Sequence, residues 1–220
     1  LDEDGDTVRM NVEVKARGKY RLDPNVCDFP PLRMKFPGDD DEQPPLFLGQ
    51  GKLKMVTHCQ SDDYILREYY LYRLYNLLTD ISFRVRLFQI TYIDLQGELP
   101  ASTHFSFFIE DEDDVAARHG AVEVKDAVTL DKTTVDRDML SLVHLFNYMI
   151  ANKDFNVPMR QNLKIITNPD GKGRPIAVPY DFDWAGLVNA SYTKLTGRDK
   201  EDAYEKRQVF KPLCRSREEF

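Results

Sequence analysis

The chain has 220 residues, of which 30% are charged and 42% hydrophobic, and it carries a formal net charge of −7. A chain of this length can bury about 70% of its unfolded surface, enough for one large domain or two small lobes. The acidic balance argues against non-specific nucleic-acid binding, which needs clustered cations. No apolar run approaches the ~18 residues that a membrane span requires.

The chain ends and the cysteines leave the cellular compartment open. The sequence begins at Leu1 without an initiator methionine, so we interpret it as a fragment or processed form, in which targeting information can be missing. The three cysteines, Cys27, Cys59 and Cys214, fit neither a zinc ribbon nor a CxxC redox motif. We expect ordinary thiols, or one disulfide and one spare thiol.

Three short strands are predicted in the N-terminal part of the chain. Residues 8–18 alternate apolar and polar side chains with a period of two, which predicts a half-buried strand that ends at Gly18. Similar patterns predict strands over residues 32–36 and 52–56. The acidic, proline-rich run over residues 37–45 is expected to form a solvated loop.

A helix is predicted from Ser61 to about Leu78. Ser61 is a typical capping residue, and the two aspartates after it would lie at the positive end of the helix dipole. Most of the helix surface is apolar or aromatic, so a buried Glu68 would need a cationic partner. We expect Lys54, on the preceding strand, to be that partner.

Two further strands are predicted over residues 83–92 and 105–109, and the second is apolar throughout, as an interior strand would be. The acidic run over residues 110–114 is expected to be either a solvated linker or a hinge. Both interpretations place a boundary there. The predicted organisation is therefore a β-rich N-terminal lobe, 1–110, and a mainly helical C-terminal lobe, 111–220.

The C-terminal half carries the most informative pattern. A helix is predicted over residues 138–151, followed by two apolar runs that a glycine-containing turn connects as a hairpin. This hairpin would bring Asn162, before its first strand, and Asp181, after its second strand, to one edge. An amide oxygen and a carboxylate suit Mg²⁺, which takes the rest of its shell from phosphates and water. Asp183 is a possible second carboxylate ligand.

The order of these residues resembles that of the protein kinase fold: a strand lysine, a helix glutamate, a catalytic aspartate, a metal asparagine and a metal aspartate. A closer resemblance is to the atypical kinases of the spore-coat CotH type. It is carried by KARGKYR (15–21), by PPLRMKF after it, and by the PYDFD run at the end of the hairpin. The segment DFDWAG also resembles the metal loop of the aminoglycoside and choline phosphotransferases.

The resemblance implies an α+β, bilobal fold in which an antiparallel-sheet N-terminal lobe with one helix faces a small helical lobe with a metal-binding hairpin. ATP and Mg²⁺ would bind in the interlobe cleft. Lys54 would draw charge from the phosphates, Glu68 would hold Lys54 in place, and Arg17 to Arg21 would cover the phosphates. A secreted or cell-envelope location is also implied.

The reaction implied is transfer of the γ-phosphoryl group of ATP to the hydroxyl of an unknown acceptor, either a protein or a small molecule. Asp154 would orient or deprotonate that hydroxyl. Asn162 and Asp181 would hold the metal, with Asp183 as a second ligand.

Several features depart from the kinase pattern. Gly18 stands alone where kinases have a glycine-rich loop. Asn162 lies eight positions after Asp154, where protein kinases have an interval of five, so Asn156 or Asn152 could take the place of Asp154. Only 37 residues follow Asp183, which is too few for a normal kinase activation segment and substrate platform. The tail from residue 199 is predicted to be a charged helix.

Two alternative functions are consistent with these departures. The first is a catalytically inactive kinase-like module that acts in binding or as a scaffold of the cell envelope. The second is a metal-dependent hydrolase that uses Asp154, Asp181 and Asp183 without a nucleotide.

Overall fold

Two antiparallel sheets organise the chain in the computed structural model. The structure describes residues 7, 9–37, 47–125, 131–152 and 154–194, and in this part the fold is α+β with eight strands and three α-helices. The chain divides into two compact units, unit 1 with Leu1–Ile65 and Val85–Asp111, and unit 2 with Leu66–Arg84 and Glu112–Phe220. The division into lobes 1–110 and 111–220 and their kinase-like arrangement stay predictions.

Unit 1 contains the five-stranded sheet. Its strands are β1 (Glu13–Ala16), β2 (Leu32–Lys35), β3 (Lys52–Val56), β4 (Val85–Tyr92) and β5 (Ser102–Ile109). They lie in the order β1-β2-β3-β5-β4, and every neighbouring pair is antiparallel. Strand β5 is therefore interior, as predicted, and Phe107, in the mainly apolar second half of the strand, is fully buried.

The first strand is shorter and more exposed than its alternating sequence predicts. Instead of a half-buried strand over residues 8–18, β1 covers only Glu13–Ala16, and all four of its residues are exposed. The expectation of half-burial is wrong because, among the strands that the structure describes, β1 is an edge strand whose one neighbour is β2. Edge positions receive less cover than interior strands, so Val14 keeps 48% of its surface exposed.

A disulfide joins Cys27 and Cys59 in unit 1, with 4.9 Å between the two Cα atoms. From the sequence we expect either ordinary thiols or one disulfide and one spare thiol, and the structure contains a disulfide. Cys214 lies outside the described residues.

The helix α1 (Asp62–Leu78) begins close to its predicted start. The hydroxyl oxygen of Ser61 accepts a hydrogen bond from the Asp63 backbone N–H at 3.2 Å, which supports the predicted capping role. The chain passes from unit 1 to unit 2 within this helix, between Ile65 and Leu66. No helix of the described residues is long and apolar enough to cross a membrane.

Unit 2 combines helices with the smaller sheet. Besides most of α1, its elements are α2 (Glu112–Arg118), β6 (Val122–Glu123), α3 (Arg137–Met149), β7 (Leu163–Thr167) and β8 (Ile176–Pro179). The strands lie in the order β6-β7-β8 and pair antiparallel, with α3 packed on β8 and α2 on β6 and β7. The core between them is formed by Val135, Leu140, Val143, Val157, Leu163, Ile165 and Ala177.

The acidic run after β5 is not a linker. Residues from Glu112 onward form the first turn of α2, so the prediction of a solvated linker over 110–114 is wrong. The two units divide within this run, between Asp111 and Glu112, and the hinge stays a prediction. Three carboxylates in a first turn are stabilised by the positive end of the helix dipole. Glu112 is also only 11% exposed and lies 2.8 Å from the Lys164 ammonium, and Glu123 lies 3.1 Å from the same group.

The ion pairs of Lys164 affect its titration. Burial alone would lower its pKa, but the hydrogen bonds and charges of Glu112 and Glu123 raise the pKa of Lys164 above its ordinary value. The acidic run is thus part of the packing of unit 2.

Two predicted segments lie outside the described residues. They are the acidic loop over residues 37–45, apart from Pro37, and the charged helix from residue 199.

A first prediction concerns the cap of α3. The Asp136 carboxylate accepts a hydrogen bond from the Met139 backbone N–H at 2.9 Å. Asp136→Ala should lower the free energy of unfolding by about 1 kcal/mol, because a helix N–H loses its partner. Urea unfolding measures this change. Asp136→Asn keeps an acceptor and should retain most of the stability; equal losses in the two variants would contradict the capping role.

Candidate functional site

The hairpin of β7 and β8 places Asn162 beside the start of the PYDFD acidic segment. Leu163 pairs with Pro179 in the sheet, and one step further out the Tyr180 backbone N–H donates a hydrogen bond to the Asn162 carbonyl oxygen at 3.1 Å. Asp181 is the next residue. The hairpin that the sequence predicts is therefore present, and its binding of a metal stays a prediction.

The backbone turns sharply at both residues. Asn162 has φ 53° and Asp181 has φ 62°, so each lies in the left-handed region. Asn and Asp tolerate this conformation better than most side chains, and such residues are frequent at functional sites. The turns end the regular strand pairing and redirect both side chains at the same edge of the sheet.

Asp154 contacts this edge through the Asn162 side chain. The Asn162 Nδ2 atom donates hydrogen bonds to the Asp154 Oδ2 atom at 2.9 Å and to the Asp154 carbonyl oxygen at 2.5 Å. Gln161 Nε2 donates to the other carboxylate oxygen of Asp154. Because the nitrogen of the Asn162 amide faces Asp154, its oxygen is the atom that could face a cation.

A chain of buried amides connects Asp154 to helix α3. The Asp154 backbone N–H donates to Asn152 Oδ1 at 3.0 Å, and Asn152 Nδ2 donates to Asn147 Oδ1 at 2.9 Å. Asn147 in turn donates to the Val143 carbonyl oxygen at 2.8 Å. Asn147 is fully buried and Asn152 is 5% exposed, so Asn152 supports Asp154 from inside the fold.

The two acids of the PYDFD segment lie in different environments. Asp181 is exposed, and its backbone N–H donates a hydrogen bond of 2.7 Å to the Tyr72 hydroxyl oxygen. Asp183 is only 8% exposed, and its Oδ2 atom accepts a hydrogen bond from the Tyr192 hydroxyl at 3.0 Å. Phe182 between them is buried, with its ring centroid 4.8 Å from that of Tyr72.

Tyr72 and Tyr192 are site residues that the sequence does not predict. No local pattern gives a polar role to either hydroxyl. A buried tyrosine usually needs a hydrogen-bond partner for its hydroxyl, which is the general indication of such a role. The identity of the partner is a long-range property that the sequence pattern does not contain.

The segment after Asp183 is tied back to the end of α3. The backbone N–H groups of Gly186 and Leu187 donate hydrogen bonds to the carbonyl oxygens of Ala151 and Ile150, at 3.1 and 3.2 Å. A Cβ atom on Gly186 would lie 2.6 Å from the Ala151 Cβ, so the approach requires glycine there. The acidic segment is therefore held beside the residues that support Asp154.

The remaining predicted site residues lie on other elements of the two units. Lys54 is half-buried on β3 in unit 1, and Glu68 is 3% exposed on α1 in unit 2. Their pairing stays a prediction.

The arginines of the predicted phosphate-covering segment have contacts within unit 1. The Arg17 backbone N–H donates to the Pro31 carbonyl oxygen at 2.8 Å. Arg21 is 8% exposed, and its guanidinium donates to the Thr57 carbonyl oxygen at 2.7 Å and to the Cys27 sulfur at 3.2 Å. These contacts give Arg21 a structural role, and a role in phosphate binding stays a prediction.

Among the described residues, no group of three or more His, Cys, Asp or Glu side chains could hold a metal ion. The predicted magnesium ligands do not require such a group. They comprise one amide and two carboxylates, Asn162, Asp181 and Asp183, and phosphate and water would complete the shell.

The chain matches no protein-family model, no curated protein and no solved structure. The resemblance to kinases is therefore carried by the sequence motifs alone.

A second prediction concerns Tyr72. Tyr72→Phe removes the acceptor of the Asp181 N–H and should lower the free energy of unfolding by about 1–3 kcal/mol. Tyr75, three residues further along the same buried helix, is a matched control. Its hydroxyl is buried and has no hydrogen-bond partner within the described part of the chain, and burial raises its pKa.

Tyr75→Phe should therefore be neutral or stabilising, because it removes a buried polar atom without breaking a bond. Urea unfolding of both variants measures the difference. If Tyr75→Phe destabilises as much as Tyr72→Phe, the loss reflects packing and not the bond to Asp181.

Proposed function

We propose that the chain is a Mg²⁺-dependent phosphotransferase of the kinase-like, CotH type, which transfers the γ-phosphoryl group of ATP to a hydroxyl. The observation that supports this most directly is the grouping of Asp154, Asn162 and Asp181 at one end of the β7–β8 hairpin. These three residue types in this order are the catalytic and metal-binding residues of kinases.

Each of the three side chains has a defined part in this mechanism. The amide oxygen of Asn162 and the carboxylate of Asp181 would hold Mg²⁺, which would supply positive charge to offset the negative charge of the phosphates. Asp154, fixed by Asn162 and Gln161, would orient the acceptor hydroxyl. Catalysis of this kind depends mainly on positioning and electrostatics, so rigid support of the ligands matters.

The buried network of unit 2 supplies that support. Asp154 is held from α3 through Asn152 and Asn147, and the Asp181 backbone is held by Tyr72. Asp183, bonded to Tyr192, would be a second ligand or would fix the loop that presents Asp181. Lys54 and Glu68 are assigned to the phosphates by the resemblance alone.

A third prediction tests the metal aspartate. Asp181→Asn should reduce ATP hydrolysis or phosphoryl transfer at least about a hundredfold, since one charge of the metal site is lost. Its melting temperature without ligand should change little, because Asp181 is exposed. Asp170→Asn is the matched control: the same exchange at the exposed turn of the same hairpin, 56% exposed, where Asn can still accept the Lys172 N–H.

Phosphate release from ATP in the presence of Mg²⁺ gives the first readout, because water can replace an unknown acceptor. Full activity in the Asp181→Asn variant would remove the proposal. A thermal shift with ATP, with and without Mg²⁺, gives the second. At 100 times its dissociation constant, a ligand stabilises by about 2.7 kcal/mol, or roughly 5–10 °C for a chain of this size.

The contacts of Arg21 favour a second candidate, a kinase-like binding or scaffold module without turnover. A guanidinium that is buried against Thr57 and Cys27 is occupied inside unit 1, and Gly18 alone cannot form a glycine-rich loop. This candidate predicts Mg²⁺-dependent stabilisation by ATP that Asp181→Asn removes, together with no phosphate release from either protein. Measured turnover in the unmodified chain would exclude it.

A further inference from the structure

Four aromatic rings form a cluster in unit 1 that has no part in the proposed function. The imidazoles of His58 and His104 stack with 3.6 Å between their centroids and 9° between their planes. Phe29 also stacks on His58, at 4.9 Å, and Tyr92 lies 4.4 Å from Phe29 and 5.7 Å from His58. Two titratable rings are therefore in van der Waals contact inside a ring cluster.

The two imidazoles have unequal hydrogen bonding. His104 Nδ1 lies 3.1 Å from the Asp62 Oδ1 atom, at the first residue of α1. His58 Nδ1 is buried and has no hydrogen-bond partner within the described residues. A charge on His104 would face a carboxylate, whereas a charge on His58 would face another imidazole.

Charged and titratable groups reach His58 from each element around it. Burial is the main cause that lowers the pKa of His58, and the neighbouring His104 on β5 is the second. Arg21, whose guanidinium lies 3.3 Å from the His58 carbonyl oxygen, acts in the same direction. The charges of Asp62 and Asp28 raise the pKa of His58. Tyr92 on β4 is the remaining titratable neighbour.

We propose that the stacked pair of His58 and His104 is an acid-sensitive latch at the start of α1, which is packed while at most one of the two rings is an imidazolium ion and opens when both are. Two imidazolium ions at 3.6 Å repel each other strongly in a half-buried setting. One carboxylate, Asp62, is within hydrogen-bond distance of only one of the two rings. Separation of the rings is the way to relieve the repulsion.

The location of the latch determines what it releases. His58 follows β3, and the disulfide-bonded Cys59 follows His58. Three residues later Asp62, the partner of His104, begins α1. Opening of the stack therefore removes one anchor of the connection between β3 and α1 over residues 57–61, which the disulfide and the hydrogen bonds of Thr57 and Gln60 also hold.

The direction of the pH dependence follows from the lowered pKa of His58. The neutral imidazole contributes stability that is fully present above the unfolded pKa, about 6.5, and that is lost as the pH falls through the lower pKa of the packed state. Within that window the open state binds one more proton. Each pH unit of acidification should then raise the opening equilibrium constant by up to about tenfold.

Hydrogen exchange of the full chain, measured by mass spectrometry and corrected for intrinsic rates, tests the latch. Peptides that cover residues 57–65 should lose several-fold protection between pH 7.5 and 5 in the unmodified chain. His58→Phe keeps an aromatic ring for stacking but cannot bind a proton, so its protection should stay nearly constant. His119→Gln, a histidine exchange in unit 2, should behave as the unmodified chain does.

Constant protection in the unmodified chain, or an equal loss in His58→Phe, would overturn the proposal. If His58→Phe fails to fold, the imidazole resonances of the unmodified chain decide the question. His58 should remain neutral well below the ordinary histidine value of about 6.5. Titration of His58 at or above that value would also overturn the latch.

Discussion

The pairing register of β7 and β8 is the constraint on which the candidate site depends. The register that pairs Leu163 with Pro179 also places Tyr180 opposite Asn162, and so brings Asp181 to the same edge. A slip of one residue would turn Ile165 and Ala177 out of the core, because strand side chains alternate between faces. Both residues are fully buried, so core packing fixes the register, and the register fixes the distance between the two polar residues.

The polar network behind Asp154 makes that edge rigid. Asn147 and Asn152 are buried. A buried amide that lacks hydrogen-bond partners destabilises the fold by more than a typical hydrogen bond stabilises it. Each amide satisfies the next, from the Val143 carbonyl oxygen to the Asp154 backbone. Such a network specifies one arrangement of the chain after α3. The position of Asp154 is therefore a consequence of helix packing as much as of its own contacts.

The sequence predicts this architecture where the determinants are local. The cap at Ser61, the apolar β5 and the hairpin around residues 163–179 are encoded within a few residues, and the structure has all three. The acidic run at the start of α2 has the local composition of a solvated linker, because its stabilising partner Lys164 lies about fifty residues away. The hydrogen bond from the Asp181 N–H to the Tyr72 hydroxyl likewise joins residues that are far apart in the sequence, so no local pattern predicts it.

The different environments of the two acids suggest how the site divides its tasks. A carboxylate that is 8% exposed and bonded to a buried tyrosine hydroxyl, as Asp183 is, already has one lone pair occupied and little access to solvent. Asp181 is exposed, and the Tyr72 hydroxyl accepts a hydrogen bond from its backbone N–H and not from its side chain. A hydrated cation such as Mg²⁺ gives up its water reluctantly. In the proposed magnesium site, the exposed, backbone-anchored Asp181 would therefore be the better primary ligand, and Asp183 would hold the loop that presents it.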